Sequence, residues 1–298
     1  MRKNVLNKKI TPTAIVGIIV LGLYSASLIF SLSWAVITSL KTAKEFGTLV
    51  GGNIFGLPRD WRFDNYLKAF KLLYIQVTKI GKAPKNVYMT EMFVNSCLYT
   101  FVSAFIFIST RMLVAYAVAR YDFIGKRVIY TTVIVTMIIP IIGSLASEIQ
   151  MMHNLNLYDT LYGVYIMKAG FTGVNFLVFY AAFRSVPDAY TEAAQIDGAG
   201  HFTVMFRIIV PLVKTTFFAL YIVTFVQFWN EYTTQMIYLP SMPVLAYGLY
   251  RFQFSVSNYA SVPLFMAACT MVSLPIVIIF VLFRNMIMGN ISVGGIKG

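Results

Sequence analysis

The chain has 298 residues, of which 58% are hydrophobic and only 12% are charged. Soluble domains are about 25% charged and disordered chains are far less hydrophobic, so the composition excludes both classes. A mean hydropathy of +0.73 indicates an integral membrane protein. In such a protein the net charge of +13 reports membrane topology rather than nucleic-acid binding.

Six apolar runs are long enough to cross a bilayer, which takes about 20 residues of helix. The first run follows four basic residues, as a signal peptide does, but it exceeds the apolar region of about 7–15 residues that signal peptides have. It is therefore predicted to be an uncleaved anchor. The sequence predicts a single all-α integral membrane domain over residues 1–298, with six transmembrane helices near 13–40, 93–119, 128–150, 161–183, 212–234 and 262–283.

The distribution of charge predicts the orientation of these spans. The tails and short connections on the side of the termini contain twelve basic and four acidic residues. Positive charge marks the cytoplasmic face, so both termini are predicted to be cytoplasmic, including a C-terminal tail at 285–298. The first external loop, residues 41–92, is an exception with nine basic and four acidic residues, but charge in long segments has less weight.

Within this first external loop, apolar residues recur at a spacing that predicts a short amphipathic helix on the outer membrane surface. The residues concerned are Trp61, Phe63, Tyr66, Leu67 and Phe70.

Residues 184–211, between the fourth and fifth spans, do not fit a simple bundle, and we call them the coupling segment. Ser185 is predicted to cap a short helix with Pro187 in its first turn. Gly198 is suited to end that helix in a left-handed conformation. A second helix should then place Phe202, Phe206 and Ile209 on one face.

The first helix of the coupling segment is rich in small residues, which let another backbone approach closely. Its composition predicts a cytoplasmic surface on which a partner docks, and an ordinary helical loop is the alternative. Three of the eleven acidic residues of the chain lie here, namely Asp188, Glu192 and Asp197.

The motifs of this segment resemble the EAA loop of ABC importer permeases, in the form found in carbohydrate importers. They are Glu192-Ala-Ala, Asp197-Gly-Ala, Ile208 and Pro211-Leu. Similar agreement extends along nearly the whole chain, at Asn65-Tyr66, Asn95-Ser96, Ala115 to Arg120, Met137-x-x-Pro140, Phe228-Trp-Asn230-Glu231 and the tail Gly294 to Gly298.

The resemblance implies a MalG/MetI-like type I importer permease fold in a bacterial-type cytoplasmic (inner) membrane. It also implies four kinds of partner: membrane lipid, a second permease subunit, two ATPase subunits and an extracytoplasmic solute-binding protein. The implied function is uptake of a carbohydrate, best guessed as an oligosaccharide, by ATP-driven alternating access. The external loop at 235–260 is then expected to reach toward the binding protein.

The same resemblance assigns roles within the coupling segment. Glu192 is expected to pair with a basic group of the ATPase, and the C-terminal tail is an additional expected contact. The other residues assigned to this interface are Ala193, Ala194, Asp197, Gly198 and Ala199, which shape the docking surface, and Arg207, a further contact.

The chain itself contains no motif for ATP binding or hydrolysis. It has no G-x-x-x-x-G-K-[S/T] phosphate loop and no H-E-x-x-H, and His153 and His201 cannot form a metal site alone. The sequence therefore predicts that the chain is not an enzyme and binds no cofactor or metal, with ATP and Mg²⁺ held by the partner ATPase. Nucleic acid is not an expected partner.

Polar and aromatic residues inside two spans are candidates for a substrate pathway. Asn95 and Tyr99 share a face of the second span, where they either line a cavity or bond to a neighbouring helix. A second group in the fifth span suits a sugar, although such residues also anchor helices at the membrane interface; it comprises Gln227, Trp229, Asn230 and Glu231. Arg111 in the second span is expected either to snorkel or to pair within the bundle.

Two other classes of membrane protein fit the sequence less well. A secondary transporter would usually have intramembrane carboxylates or broken helices in repeated halves, and no repeat is evident. A membrane-embedded enzyme would need a catalytic constellation, and none is recognisable. The secondary transporter, working without an ATPase partner, is the alternative to the importer permease.

Overall fold

The computed structural model describes residues 11–47, 52–78, 83–139, 143–255 and 262–291. The chain divides into two compact units, one formed by residues 1–73 with 252–272 and the other by 74–251 with 273–298. The described part is mainly helical, as predicted. The exception is one antiparallel hairpin, β1 (Tyr74–Val77) with β2 (Lys85–Tyr88), in which Tyr74 pairs with Tyr88.

The first unit contains helices α1 (Pro12–Ser39), α2 (Ala43–Gly47) and α3 (Asp64–Leu72). The expected amphipathic helix is thus present as α3, although Trp61 and Phe63 lie before it. Leu67 and Phe70 form an exposed face of α3, whereas Asn65 and Ala69 are buried.

Hydrogen bonds from Asn65 and Tyr66 join α3 to the end of α1. The last carbonyls of a helix have no partner within the helix. Here the Asn65 amide donates hydrogen bonds of 2.8 Å to the carbonyl oxygens of Ser39 and Lys41, and the Tyr66 and Ser39 hydroxyls lie 2.7 Å apart. The fully buried Lys41 Nζ donates to the carbonyl oxygens of residues 53 and 54 at 2.8 and 2.9 Å.

Glu45 orders the segment that follows. Burial raises the pKa of Glu45, but hydrogen bonds from the Arg59 N–H and the Asn53 amide, helped by the charges of Lys41 and Arg59, hold it below its ordinary value. These hydrogen bonds to the Glu45 carboxylate hold together the start of the first external loop.

The second unit begins with the hairpin and the long helix α4 (Met89–Arg120). Its remaining elements, in chain order, are α5 (Lys126–Ile138), α6 (Leu145–Asn154), α7 (Leu161–Lys168), α8 (Val174–Arg184), α9 (Ala189–Ile196), α10 (His201–Thr203), a π-helix (Val204–Ile209), α11 (Val210–Leu212), α12 (Lys214–Trp229) and α13 (Thr233–Tyr238). Helices α14 (Leu245–Ser255) and α15 (Val262–Ile291) continue the chain.

The core of the second unit lies where α4, α8 and α12 pack together. Phe176, Phe179 and Phe183 repeat along one face of α8 and are fully buried. They pack in one cluster with Ile108 and Ala115 of α4. Small residues such as alanine at helix interfaces let membrane helices approach closely, so α4 and α8 form a tight pair.

Three described helices are long and apolar enough to cross a membrane, namely Pro12–Ser39, Met89–Arg120 and the Val262–Arg284 part of α15. They match the predicted first, second and sixth spans. A fourth candidate contains most of the predicted fifth span, 212–234, and is a pair of helices bent by 72° where His201–Leu212 meets Lys214–Trp229. Pro211 lies at this bend and has no N–H to continue the helical hydrogen bonds.

The prediction that the third and fourth spans are continuous helices is wrong. The third is interrupted between α5 and α6, where Gly143 has a φ of +88°. The fourth is interrupted between α7 and α8, where Gly173 has a φ of +112°. Glycine adopts these values without steric cost. The number of six crossings and the cytoplasmic location of both termini stay predictions.

Candidate functional site

The coupling segment begins with a helix that is shifted from its predicted start. Ser185 does not cap α9; it ends α8, and its hydroxyl donates to the carbonyl of Ala182 at 2.7 Å. Asp188 is the residue before α9. The correction has a local cause, since Ser185 directly follows the last residue of α8, Arg184, and is the C-cap of that helix.

The predicted end of α9 at Gly198 is confirmed. Gly198 has a φ of +80°, and its N–H donates to the Gln195 carbonyl at 3.0 Å while the Ala199 N–H donates to the Ala194 carbonyl at 2.9 Å. This pair of bonds satisfies the last carbonyls of the helix and reverses the chain.

The reversal produces a concave surface between α9 and the π-helix. Glu192, Gly198 and Arg207 are exposed outside the lining of this cavity. The cavity has a volume of about 510 Å³, and its lining includes four predicted coupling residues, Ala193, Ala194, Asp197 and Ala199, together with Ala189, Tyr190 and Ile208. Four of the seven predicted coupling residues therefore line one hollow, and the other three are exposed.

The second helix of the coupling segment differs from the prediction. Phe202 and Phe206 are exposed at 80% and 51%, whereas Ile209 is fully buried. The expectation that the three share one face is wrong because residues 204–209 form a π-helix. A π-turn bonds residue i to i+5 rather than i+4, which moves Ile209 to another face.

Two predicted pathway residues, Tyr99 and Glu231, come together in a polar cluster. The Tyr99 hydroxyl donates to the Glu231 carboxylate at 2.6 Å. Lys168 Nζ lies 3.0 Å from both carboxylate oxygens and 3.2 Å from the Thr234 hydroxyl, which also donates to Glu231. Lys168 and Phe228 form a further contact, with Nζ 4.6 Å from the ring centroid.

Nothing in the sequence indicates that Lys168 joins this cluster. Lys168 is a single basic residue in the first part of the fourth span, at the end of α7, and its partners are far away in the chain. The side chains of Lys168 and Glu231 are 17% and 25% exposed. A carboxylate that accepts hydrogen bonds from a lysine, a tyrosine and a threonine is well suited to holding three helices together.

The other pathway candidates lie elsewhere. Asn95 is buried and donates to the Pro243 carbonyl at 3.0 Å. It also lines a cavity of about 310 Å³, so both alternatives for Asn95 hold. Trp229 is buried, with its ring 5.8 Å from Phe225. Gln227 and Asn230 are exposed. The six candidates thus do not form one site.

Arg111 bridges α4 to the interruption between α7 and α8. Its Nε donates to the Thr172 carbonyl at 2.9 Å, its Nη1 donates to the Phe107 carbonyl at 2.8 Å, and its Cζ lies 3.3 Å from the centroid of the Phe107 ring. Non-helical backbone within a membrane protein must find hydrogen-bond partners inside the protein. Arg111 is one such partner, so it pairs within the bundle rather than snorkelling.

A family model described as "Binding-protein-dependent transport system inner membrane component" matches residues 111–291. The chain belongs to this family. The match covers the coupling segment and the Glu231 cluster apart from Tyr99, and it confirms that this permease is an inner-membrane component of a binding-protein-dependent transporter, as the resemblance of its motifs indicated.

Several curated relatives are permease proteins of similar length. This permease is 26% identical over 276 residues to the diacetylchitobiose uptake system permease protein NgcG of Streptomyces coelicolor, covering 91% of this chain and 85% of the relative. It is 28% identical over 263 residues to the melibiose/raffinose/stachyose import permease protein MelC of Bacillus subtilis, covering 88% of each chain.

The fold is also that of an importer permease. A chain from the crystal structure of a bacterial ABC transporter involved in the import of the acidic polysaccharide alginate superimposes with a TM-score of 0.73 at 20% identity, over 92% of this chain and 95% of the other. The predicted MalG/MetI-like fold is confirmed by this similarity. Among the described residues, no group of three His, Cys, Asp or Glu side chains is placed to hold a metal ion.

Proposed function

We propose that this permease forms, with a second permease subunit, the membrane pathway of an ATP-binding-cassette importer for a carbohydrate, best described as an oligosaccharide. An extracytoplasmic solute-binding protein delivers the substrate, and two ATPase subunits that bind ATP and Mg²⁺ supply the energy. The coupling segment carries this proposal, because it exposes Glu192 beside a hollow lined by small residues on a chain of this family.

The role of the coupling segment follows from its geometry. Helix α9 is short and exposed, and it is followed at once by a sharp turn. A helix of this kind fits a cleft of a partner better than a long loop does. Closure of the ATPase dimer would move α9 as a rigid body, and the attached helices would turn the cavity from one side of the membrane to the other. The names of the relatives, which include uptake systems for diacetylchitobiose and for melibiose, raffinose and stachyose, support the substrate class.

The proposal is tested with Glu192→Lys, which reverses the expected charge contact, and Ala193→Trp, which fills the hollow. Both should remove the ATPase subunits during purification of the complex and abolish uptake of labelled oligosaccharide. Asp60→Lys makes the same charge change at an exposed residue of the first external loop and should leave ATPase capture intact. Normal capture and uptake in both coupling variants would contradict the proposal.

A secondary transporter is the second candidate, and two observations favour it. Glu231 is a partly buried carboxylate among helices, and the third and fourth spans are interrupted, which are features of secondary transporters. Membership of a binding-protein-dependent family argues for the importer instead. Uptake that persists in vesicles without ATP or ATPase subunits would decide for the secondary transporter.

A further inference from the structure

The C-terminal end of α4 contacts the beginning of the coupling segment through a buried arginine. The Arg120 side chain is only 8% exposed, and it forms an ion pair with Asp188, the residue before α9. Its Nη2 also donates to the Val186 carbonyl at 2.7 Å. Arg120 therefore contacts both the backbone and the first acidic side chain of the segment that leads into α9, and the Asp188 side chain itself is 80% exposed.

The residue that follows α4, Tyr121, contacts the other side of the Gly198 turn. The Tyr121 and His201 rings meet edge to face with centroids 5.5 Å apart, and the Tyr121 hydroxyl lies 3.4 Å from His201 Nδ1. Tyr121 is supported in turn by Tyr116, at 5.7 Å between centroids, and Tyr116 packs on Phe183 at 5.3 Å. The end of α4 thus touches the coupling segment both before and after its turn.

Helix α4 continues without a break from these contacts to the polar cluster at Glu231. Tyr99 and Arg120 are 21 residues apart in one helix, which corresponds to about 30 Å at 1.5 Å per residue. The third and fourth spans are interrupted, so they cannot transmit a displacement along their whole length as α4 can. A rotation of α9 imposed at Asp188 therefore reaches Tyr99 through a single rigid element.

We propose that Arg120 is a positioning residue that couples movement of α9 to α4, so that ATPase closure at the coupling segment is converted into movement at the Glu231 cluster. The proposal rests on the importer function proposed above. A guanidinium can use two nitrogens in a fixed plane to contact Asp188 and the Val186 carbonyl together, and a lysine ammonium cannot reproduce that planar arrangement.

The test uses the complete importer, with its binding protein, in proteoliposomes. The variants are Arg120→Ala, Arg120→Lys and Asp188→Asn, and the last keeps the buried arginine in place in case its removal impairs folding. We expect the ATPase subunits to remain bound and ATP hydrolysis to continue, while carbohydrate taken up per ATP falls about tenfold in Arg120→Ala and less in the other two. Loss of a charge-assisted hydrogen bond accounts for an effect of that size.

Asp122→Asn is the matched control, since it removes an ion pair of 2.8 Å with Lys126 within one connection rather than between two elements. A hydrogen bond from Lys126 lowers the pKa of Asp122, so Asp122→Asn removes a negative charge at neutral pH as Asp188→Asn is designed to do. Transport per ATP should be unchanged in this control.

Unchanged transport per ATP in Arg120→Ala would overturn the proposal, and so would loss of the ATPase subunits from all three variants, which would indicate a role in assembly alone. The proposed function fails in a different way: carbohydrate would then be taken up without ATP both by the unmodified importer and by every Arg120 variant.

Discussion

At the scale of single residues, the ion pair between Lys168 and Glu231 leads to a specific prediction about the stability of the permease. Removing one partner of a buried pair leaves an uncompensated charge, whereas removing both does not. We expect Lys168→Met and Glu231→Gln each to destabilise the permease by about 2–3 kcal/mol, a range kept below that of fully buried pairs because both side chains are partly exposed. The double variant should lie closer to the unmodified protein than either single variant.

Thermal unfolding of the purified permease in detergent measures these differences. Lys85→Met serves as the control, because Lys85 forms an exposed pair of 2.7 Å with Glu91 and exposed pairs contribute little. If the decreases in unfolding free energy of the two single variants simply add in the double variant, the charges do not stabilise the cluster.

The sequence was informative about Tyr99 and Glu231 but not about what joins them. Polar residues inside an apolar span are energetically costly and therefore indicate a functional role, and this rule identifies both residues. Lys168 is separated by 63 residues from Glu231, and nothing local in the sequence indicates that they meet. Only the packing of α7 and α12 against α4 shows this. Arg120 and Asp188 are likewise distant in the sequence, and only the tertiary structure shows that they meet.

At the scale of elements, the left-handed turn after α9 sets the position of the coupling segment. Gly198 has a φ of +80° with open space where a Cβ would lie, so Gly198→Ala causes no steric clash with other residues. The left-handed backbone is nevertheless unfavourable for alanine, by about 1–2 kcal/mol. We expect weaker retention of the ATPase subunits, by several-fold, in titrations of the complex.

Gly200→Ala is the matched control for this turn. Gly200 also has open space around its missing Cβ, but its φ is −69°, a value that alanine adopts freely. Equal retention of the ATPase subunits by the Gly198 and Gly200 variants would show that the turn geometry does not matter for docking.

The elements that the sequence predicted best are those with strong local signals. Long apolar runs identified α1, α4 and α15, and an Asp-Gly pair identified the end of α9. The interruptions of the third and fourth spans escaped prediction because an apolar composition is the same in a broken span as in a continuous one. The glycines at 143 and 173 were the available signal, but glycine also occurs within membrane helices.

At the scale of the whole molecule, the orientation in the membrane follows from charge and is open to direct measurement. Phe55 in the first external loop and Ile124 between the second and third spans are both exposed. In a background with Cys97→Ser and Cys269→Ser, we expect Phe55→Cys to react with a membrane-impermeant thiol reagent applied to intact spheroplasts. Ile124→Cys and Lys297→Cys should react only after permeabilisation.

The asymmetric charge distribution gives the physical reason for this expectation, since basic residues in short connections stay on the cytoplasmic side. Labelling of Ile124→Cys from outside would reverse the orientation, and labelling of Lys297→Cys from outside would require an odd number of crossings.

The π-helix at Val204–Ile209 constrains how the permease can change by insertion and deletion. Removing one residue there would restore a regular α-helix, because a π-turn holds one residue more than an α-turn, and the helices on either side would keep their relative orientation. Removing one residue from the regular helix α9 would instead turn the residues that follow by about 100°. Single-residue deletions should therefore be better tolerated within Val204–Ile209 than within α9.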